Sequence, residues 1–146
     1  MLQHNPERCV GCLACMVACQ QEHSLLPVFH PLKIICRMVL APRPAYNYEV
    51  NVCRHCPAPP CREVCPAEAW VVEGGAVVLK QDLCTGCGAC TEACPYGAVE
   101  MDLARGMPAK CDLCRERASQ SLPPACVRTC PVGALSFQKH SGGRES

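Results

Sequence analysis

Sixteen of the seventeen cysteines in this 146-residue chain fall into four short blocks, and nothing else in the sequence restricts the fold as much. The first block is Cys9, Cys12, Cys15 and Cys19, spaced C-x2-C-x2-C-x3-C. The third, Cys84, Cys87, Cys90 and Cys94, repeats that spacing and runs on into Pro95. The second, Cys53, Cys56, Cys61 and Cys65, loosens to C-x2-C-x4-C-x3-C before Pro66. The fourth opens with Cys111 and Cys114 and closes, eleven residues later, with Cys126, Cys130 and Pro131. Cys36 stands outside all four.

The likeness between blocks extends past the cysteines. Blocks three and four continue as Pro-Tyr-Gly-Ala-Val and Pro-Val-Gly-Ala-Leu, and block two as Pro-Ala-Glu-Ala-Trp. Block one lacks the proline, because Gln20 follows Cys19. The pattern reads as a duplicated two-block unit. Three cysteines two residues apart form a tight loop that can wrap one iron–sulfur cubane. Small residues such as Gly11, Ala14, Gly86, Gly88 and Ala89 let backbone N–H groups reach the sulfurs. The fourth cysteine begins a short segment pointing away, and in two-cluster ferredoxins that residue ligates the other cluster. Zinc sites pair C-x2-C knuckles across a spacer, which suits these dense runs poorly. Disulfides belong to oxidising compartments, and no charged-then-apolar leader opens the chain.

Composition agrees that metal must supplement the core. The 49% apolar fraction counts the cysteines, only 4% is aromatic, and 14 prolines and 10 glycines exclude a long-helix bundle. A net charge of +1 gives no reason to expect nucleic acid as a partner. The longest apolar stretch, around Ile34 to Ala41, is too short to cross a membrane. The expectation is a soluble, cytoplasmic protein that works under anaerobic conditions. No phosphate-binding loop, flavin fingerprint or catalytic Ser–His–acid set is evident.

With Cys53-Arg-His-Cys56, Pro60 before Cys61, and Lys110-Cys111-Asp-Leu-Cys114, the chain resembles the four-cluster ferredoxin-type iron–sulfur subunits. These are the beta subunits of molybdenum and tungsten oxidoreductases and of some hydrogenases and carbon monoxide dehydrogenases. The resemblance covers roughly residues 3 to 137. It implies a nested pairing and four [4Fe–4S] clusters. One takes Cys9, Cys12, Cys15 and Cys130; its partner takes Cys19, Cys111, Cys114 and Cys126. The inner two take Cys53, Cys56, Cys61 and Cys94, and Cys65, Cys84, Cys87 and Cys90. Spacing alone leaves sequential pairing of block one with block two open.

The fold expected is α+β: two pseudo-symmetric dicluster bacterial-ferredoxin-like modules with a small added strand arm, in one four-cluster unit. The inner module spans about 53–100. The outer joins about 3–26 to 105–137, the arm is about 30–52, and 138–146 is a polar tail. Residues 71–79 read as a hairpin with a Gly74–Gly75 turn, and Lys33–Leu40 as an arm strand with 46–52 as its partner. Bound clusters would turn the formal +1 into about −7 oxidised and about −11 reduced. Arg8, Arg54, Arg62, Lys110 and Arg128 flank ligands and read either as offsetting charges or as solvated groups. Cys36 reads as a small buried hydrophobe in a strand, His55 as a spacer, and Trp70 as packing over a cluster. His4, His23, His30 and His140 read as surface groups. The insert 115–125 is read with equal weight as a docking loop or a surface excursion.

These features predict an electron-transfer subunit with no substrate chemistry of its own. It would relay single electrons between a larger catalytic oxidoreductase subunit and another redox partner. The family ranks formate dehydrogenase and tungsten aldehyde oxidoreductase slightly ahead of hydrogenase and carbon monoxide dehydrogenase as that subunit. Further copies of the chain, or a flavin or ferredoxin protein, are the other partners considered. The alternatives are a freely diffusing polyferredoxin and a zinc-stabilised interaction module.

Overall fold

Loops this rich in cysteine, glycine and proline cannot sustain long helices, and the structure breaks the chain into short elements. It is a computed structural model that describes residues 1–26, 29–40, 42 and 45–138. In chain order the elements are β1 (Leu2–His4), α1 (Ala14–Glu22), β2 (Leu32–Val39), β3 (Ala45–Val52), α2 (Pro60–Glu63), β4 (Trp70–Glu73), β5 (Ala76–Leu79), α3 (Ala89–Ala93), β6 (Glu100–Asp102), β7 (Met107–Ala109), α4 (Arg115–Ser119), α5 (Ala125–Thr129) and β8 (Leu135–Phe137). The strands pair antiparallel in four two-stranded sheets, β1 with β8, β2 with β3, β4 with β5 and β6 with β7. This is the small mixed α and β architecture expected. No described helix is long and apolar enough to cross a membrane.

Two apolar groups hold these pieces, and cysteines make up much of both. Around blocks two and three, Trp70, Val77 and Val99 pack with Cys61 and Cys90. Around blocks one and four, Leu32 and Leu135 pack with Cys15 and Cys126. The second group depends on the two ends of the chain meeting: Leu2 lies opposite Phe137 in the β1–β8 pair. Gly74 and Gly75, both at positive φ, turn β4 into β5 as expected of a Gly-Gly hairpin.

The arm is the β2–β3 ribbon, in register from Leu32↔Val52 to Val39↔Ala45. Its base packs on the body through Leu32, Ile34, Val50 and Val52, and the Tyr48 ring lies against Gly11. Its outer half is exposed, and this corrects the reading of Cys36. That thiol is exposed opposite Tyr48, because it lies on the ribbon beyond the Leu32 and Ile34 that pack on the body. The polar tail expected at 138–146 lies outside the described residues beyond Gln138.

Candidate metal centres

Every block opens with the same backbone turn. The residue just before the second cysteine, Gly11, His55, Gly86 or Leu113, has positive φ (67°, 48°, 70° and 63°). That conformation turns the chain's N–H groups inward. The N–H of His55 donates to Cys53 Sγ, that of Gly86 to Cys84 Sγ and that of Leu113 to Cys111 Sγ, each at 3.4 Å. Glycine also makes room at two of these positions. A Cβ on Gly86 would sit 2.5 Å from the Gly106 carbonyl oxygen, and one on Gly11 would sit 2.2 Å from the Tyr48 ring.

Three blocks also close alike. After Cys65, Cys94 and Cys130, a Pro-x-(Glu/Gly)-Ala turn places Glu68, Gly97 or Gly133 at positive φ. The following alanine N–H then donates to the cysteine sulfur: Ala69 to Cys65 at 3.4 Å, Ala98 to Cys94 at 3.4 Å, Ala134 to Cys130 at 3.2 Å. The proline has no N–H to lose and stops any helix running through. Block one has Gln20 there instead, so α1 continues through Cys19 to Glu22, and the His23 N–H bonds the Cys19 carbonyl rather than its sulfur. Cys130 shows what the turn does. Burial opposes it, yet the backbone N–H groups of Leu135, Ala134, Val132 and Gly133 hold this thiol below its ordinary value.

The turns gather the thiols across blocks. Burial pushes Cys15 up to about 11, with Cys12 and Cys130 adding repulsion. Burial raises Cys19 far above the ordinary range, and Cys111, Cys126 and Cys114 raise it further. Cys61 rises to about 11 by burial; Lys110 opposes the shift, while Cys53, Cys94 and Cys90 add to it. Burial also raises Cys90, beside Cys65 and Cys84. Two of the groups enclose a cavity each: Cys9, Cys12, Cys15 and Cys130 line one, and Cys53, Cys56, Cys61 and Cys94 line another. Buried thiols that repel one another in this way need a cationic core to become thiolates, and aimed N–H groups stabilise the sulfur charge that results. This donor set fits [4Fe–4S] clusters.

The surrounding residues divide unevenly. Trp70 is buried against Cys61 and Cys90, so it packs on the thiols as expected, and its side chain opposes the burial that pushes the Cys90 thiol up. His55 is more than a spacer: it is buried, and its Nδ1 accepts the Val77 N–H at 3.0 Å. Arg8, Arg54, Arg62 and Arg128 are exposed, Arg54 lying over the Tyr96 ring at 4.4 Å. Lys110 is buried. The surface reading of the histidines fails for His4, His23 and His30, all half-buried; His140 lies outside the described residues. His23 Nε2 lies 3.6 Å from Cys114 Sγ and 3.4 Å from Asp112 Oδ1. The signal for it is its place four residues after Cys19, on the same helical face. In the 115–125 insert, α4 is tied down by Arg115 to Glu73 and Arg117 to Glu22, at 2.8 and 2.9 Å.

Comparison with known proteins agrees with this chemistry. Residues 44–140 match the family described as 4Fe-4S dicluster domain, and residues 2–22 match 4Fe-4S binding domain. The B subunit of polysulfide reductase from Wolinella succinogenes is 37% identical over 142 residues, covering 92% of this chain and 73% of that protein. The B subunit of anaerobic dimethyl sulfoxide reductase from Escherichia coli is 34% identical over 145 residues, covering 89% and 68%. The thiosulfate reductase electron transfer subunit PhsB of Salmonella typhi is 34% identical over 145 residues, covering 94% and 74%. Sixteen clustered thiols and these matches give one conclusion: the chain belongs to the 4Fe-4S dicluster ferredoxin family of electron-transfer iron–sulfur subunits, and it carries four [4Fe–4S] clusters.

Proposed function

We propose that the chain is a two-ended relay whose sixteen block cysteines hold the four clusters in the nested arrangement. When bound, the clusters take up and release single electrons. Three interactions support an order. Cys61 feels the charge of Cys90, which favours setting the Cys65/84/87/90 and Cys53/56/61/94 groups side by side. Cys126 feels that of Cys15, which favours the same for the Cys9/12/15/130 and Cys19/111/114/126 groups. Lys110 bonds the carbonyls of Val77 and Cys111, which favours joining the two pairs in the middle. The order we propose is Cys65/84/87/90, Cys53/56/61/94, Cys19/111/114/126 and Cys9/12/15/130. On this reading the chain divides into an inner module, about 53–100, and an outer module, about 3–26 with 105–137.

One observation carries this reading. Each terminal group exposes one thiol, Cys87 at one end and Cys12 at the other, while Cys114 in the middle is buried. On this reading electrons have a door at each end, and the thiols of the two middle groups are buried or half-buried. The relatives are named for polysulfide, dimethyl sulfoxide and thiosulfate reductases. We therefore infer a larger molybdenum-type catalytic subunit as the partner at one door. A sulfur- or sulfoxide-reducing partner is favoured over the formate dehydrogenase or tungsten type. At the other door we place a second redox protein, and we place the complex in the cytoplasm.

Anaerobic purification of the tagged full chain, followed by native mass spectrometry, tests the assignment. A co-purifying large subunit together with four clusters is the expected result. A lone four-cluster chain would instead identify a diffusing polyferredoxin.

A further inference from the structure

A lysine buried without a carboxylate partner needs another source of negative charge. Lys110 is only 9% exposed. Among the described residues no carboxylate pairs with it; the ion pairs of the chain are made by other side chains. Its ammonium donates to the Val77 carbonyl at 2.6 Å and the Cys111 carbonyl at 3.1 Å, and it lies 5.4 Å from the centre of the Trp70 ring. These contacts fix its position between two blocks. Cys111 opens block four. Val77, on β5, donates its own N–H to His55, which stands between Cys53 and Cys56 of block two.

We propose that Lys110 is a shared countercharge at the junction of the two modules, raising together the reduction potentials of the Cys53/56/61/94 centre and the Cys19/111/114/126 centre. A four-thiolate [4Fe–4S] centre is anionic and gains a further negative charge on reduction. A fixed cation between two such centres favours the reduced form of each, and it does so strongly where water is excluded. Its geometry reaches both centres: its ammonium bonds the carbonyl of Cys111 itself, and Val77, whose carbonyl it also bonds, packs with Cys61. Because one charge serves both centres, the step between them stays close to level while both become easier to reduce. The two end centres do not share it. This inference rests on the nested ligand assignment above.

The test is anaerobic redox titration of the full chain, followed by EPR, for the unsubstituted protein, Lys110→Gln and Lys110→Arg. Gln keeps a donor for the Val77 carbonyl and loses the charge; Arg keeps the charge. Iron and spin counts on the unsubstituted protein report separately on the four-cluster reading. For Lys110→Gln with four clusters retained, two of the four midpoint potentials should fall. A tenfold loss in the reduced-to-oxidised ratio would appear as 59 mV for a one-electron couple. Lys110→Arg should bring both back toward their original values. Unchanged potentials, a shift in only one centre, an equal shift of all four, or loss of iron from Lys110→Gln would overturn the proposal. The last would mark the lysine as a structural prop.

Discussion

The blocks two and three region and the blocks one and four region are built from the same motif but finished differently. In the first, Cys65 and Cys94 both end in a Pro turn whose alanine N–H caps the sulfur. In the second, only Cys130 does. Cys19 sits inside helix α1, and the helix carries His23 to Cys114 one turn later. A turn supplies a backbone donor locally and ends the element. A helix forgoes that donor but delivers a side-chain donor at longer range and a longer packing face for α5. The second region has to hold the two ends of the chain together, so it gains more from the helix.

The largest expected effect comes from removing a buried ligand on each side. Cys90→Ala and Cys126→Ala should each cost one cluster, about four irons. The second should also cost more structure, since its centre joins Cys19 to Cys111 whereas that of Cys90 joins only Cys65 to Cys84, and opening the longer loop returns more entropy. Iron analysis with far-UV circular dichroism would read both effects. Equal structural loss in the two variants would erase the distinction between the regions.

Next is Gln20→Pro, which imposes on block one the ending used elsewhere. A proline inside α1 costs about 3 kcal/mol. Its melting temperature should fall by about 10 °C. The reverse change, Pro131→Gln, should cost about 1 kcal/mol or less, as expected for a substitution that breaks no hydrogen bond. If Gln20→Pro leaves melting unaltered, the helix is not what holds the end.

A glycine series comes next. Gly88→Ala meets open space, so only its φ of 78° counts, at about 1–2 kcal/mol. Gly86→Ala adds a clash with backbone and should melt lowest. Gly11→Ala meets a side chain that can swing, and should fall between them. The smallest effect is for His23→Leu. It removes the Cys114 donor and should lower one midpoint potential by about 59 mV or less, read by EPR titration.

The blocks, their iron chemistry, the Gly74–Gly75 hairpin and the strands of the arm are all legible in the sequence. Each depends on residues within a short stretch of chain. What is not legible depends on distant partners. Cys36 reads as buried because Ile34-Ile35-Cys36 is apolar without alternation, which does not say whether a second layer covers it. His55 and Lys110 both bond Val77, which lies far from both along the chain. The surface reading of His23 misses a thiol 91 positions away.

The relay depends on the nested, linear arrangement of the four clusters. Anaerobic crystallography of the loaded protein at the iron absorption edge would locate them. Four cubane sites in a row are expected, with Cys130 on the Cys9/12/15 site and Cys19 on the Cys111/114/126 site. Block one paired with block two, or fewer than four sites, would contradict the arrangement.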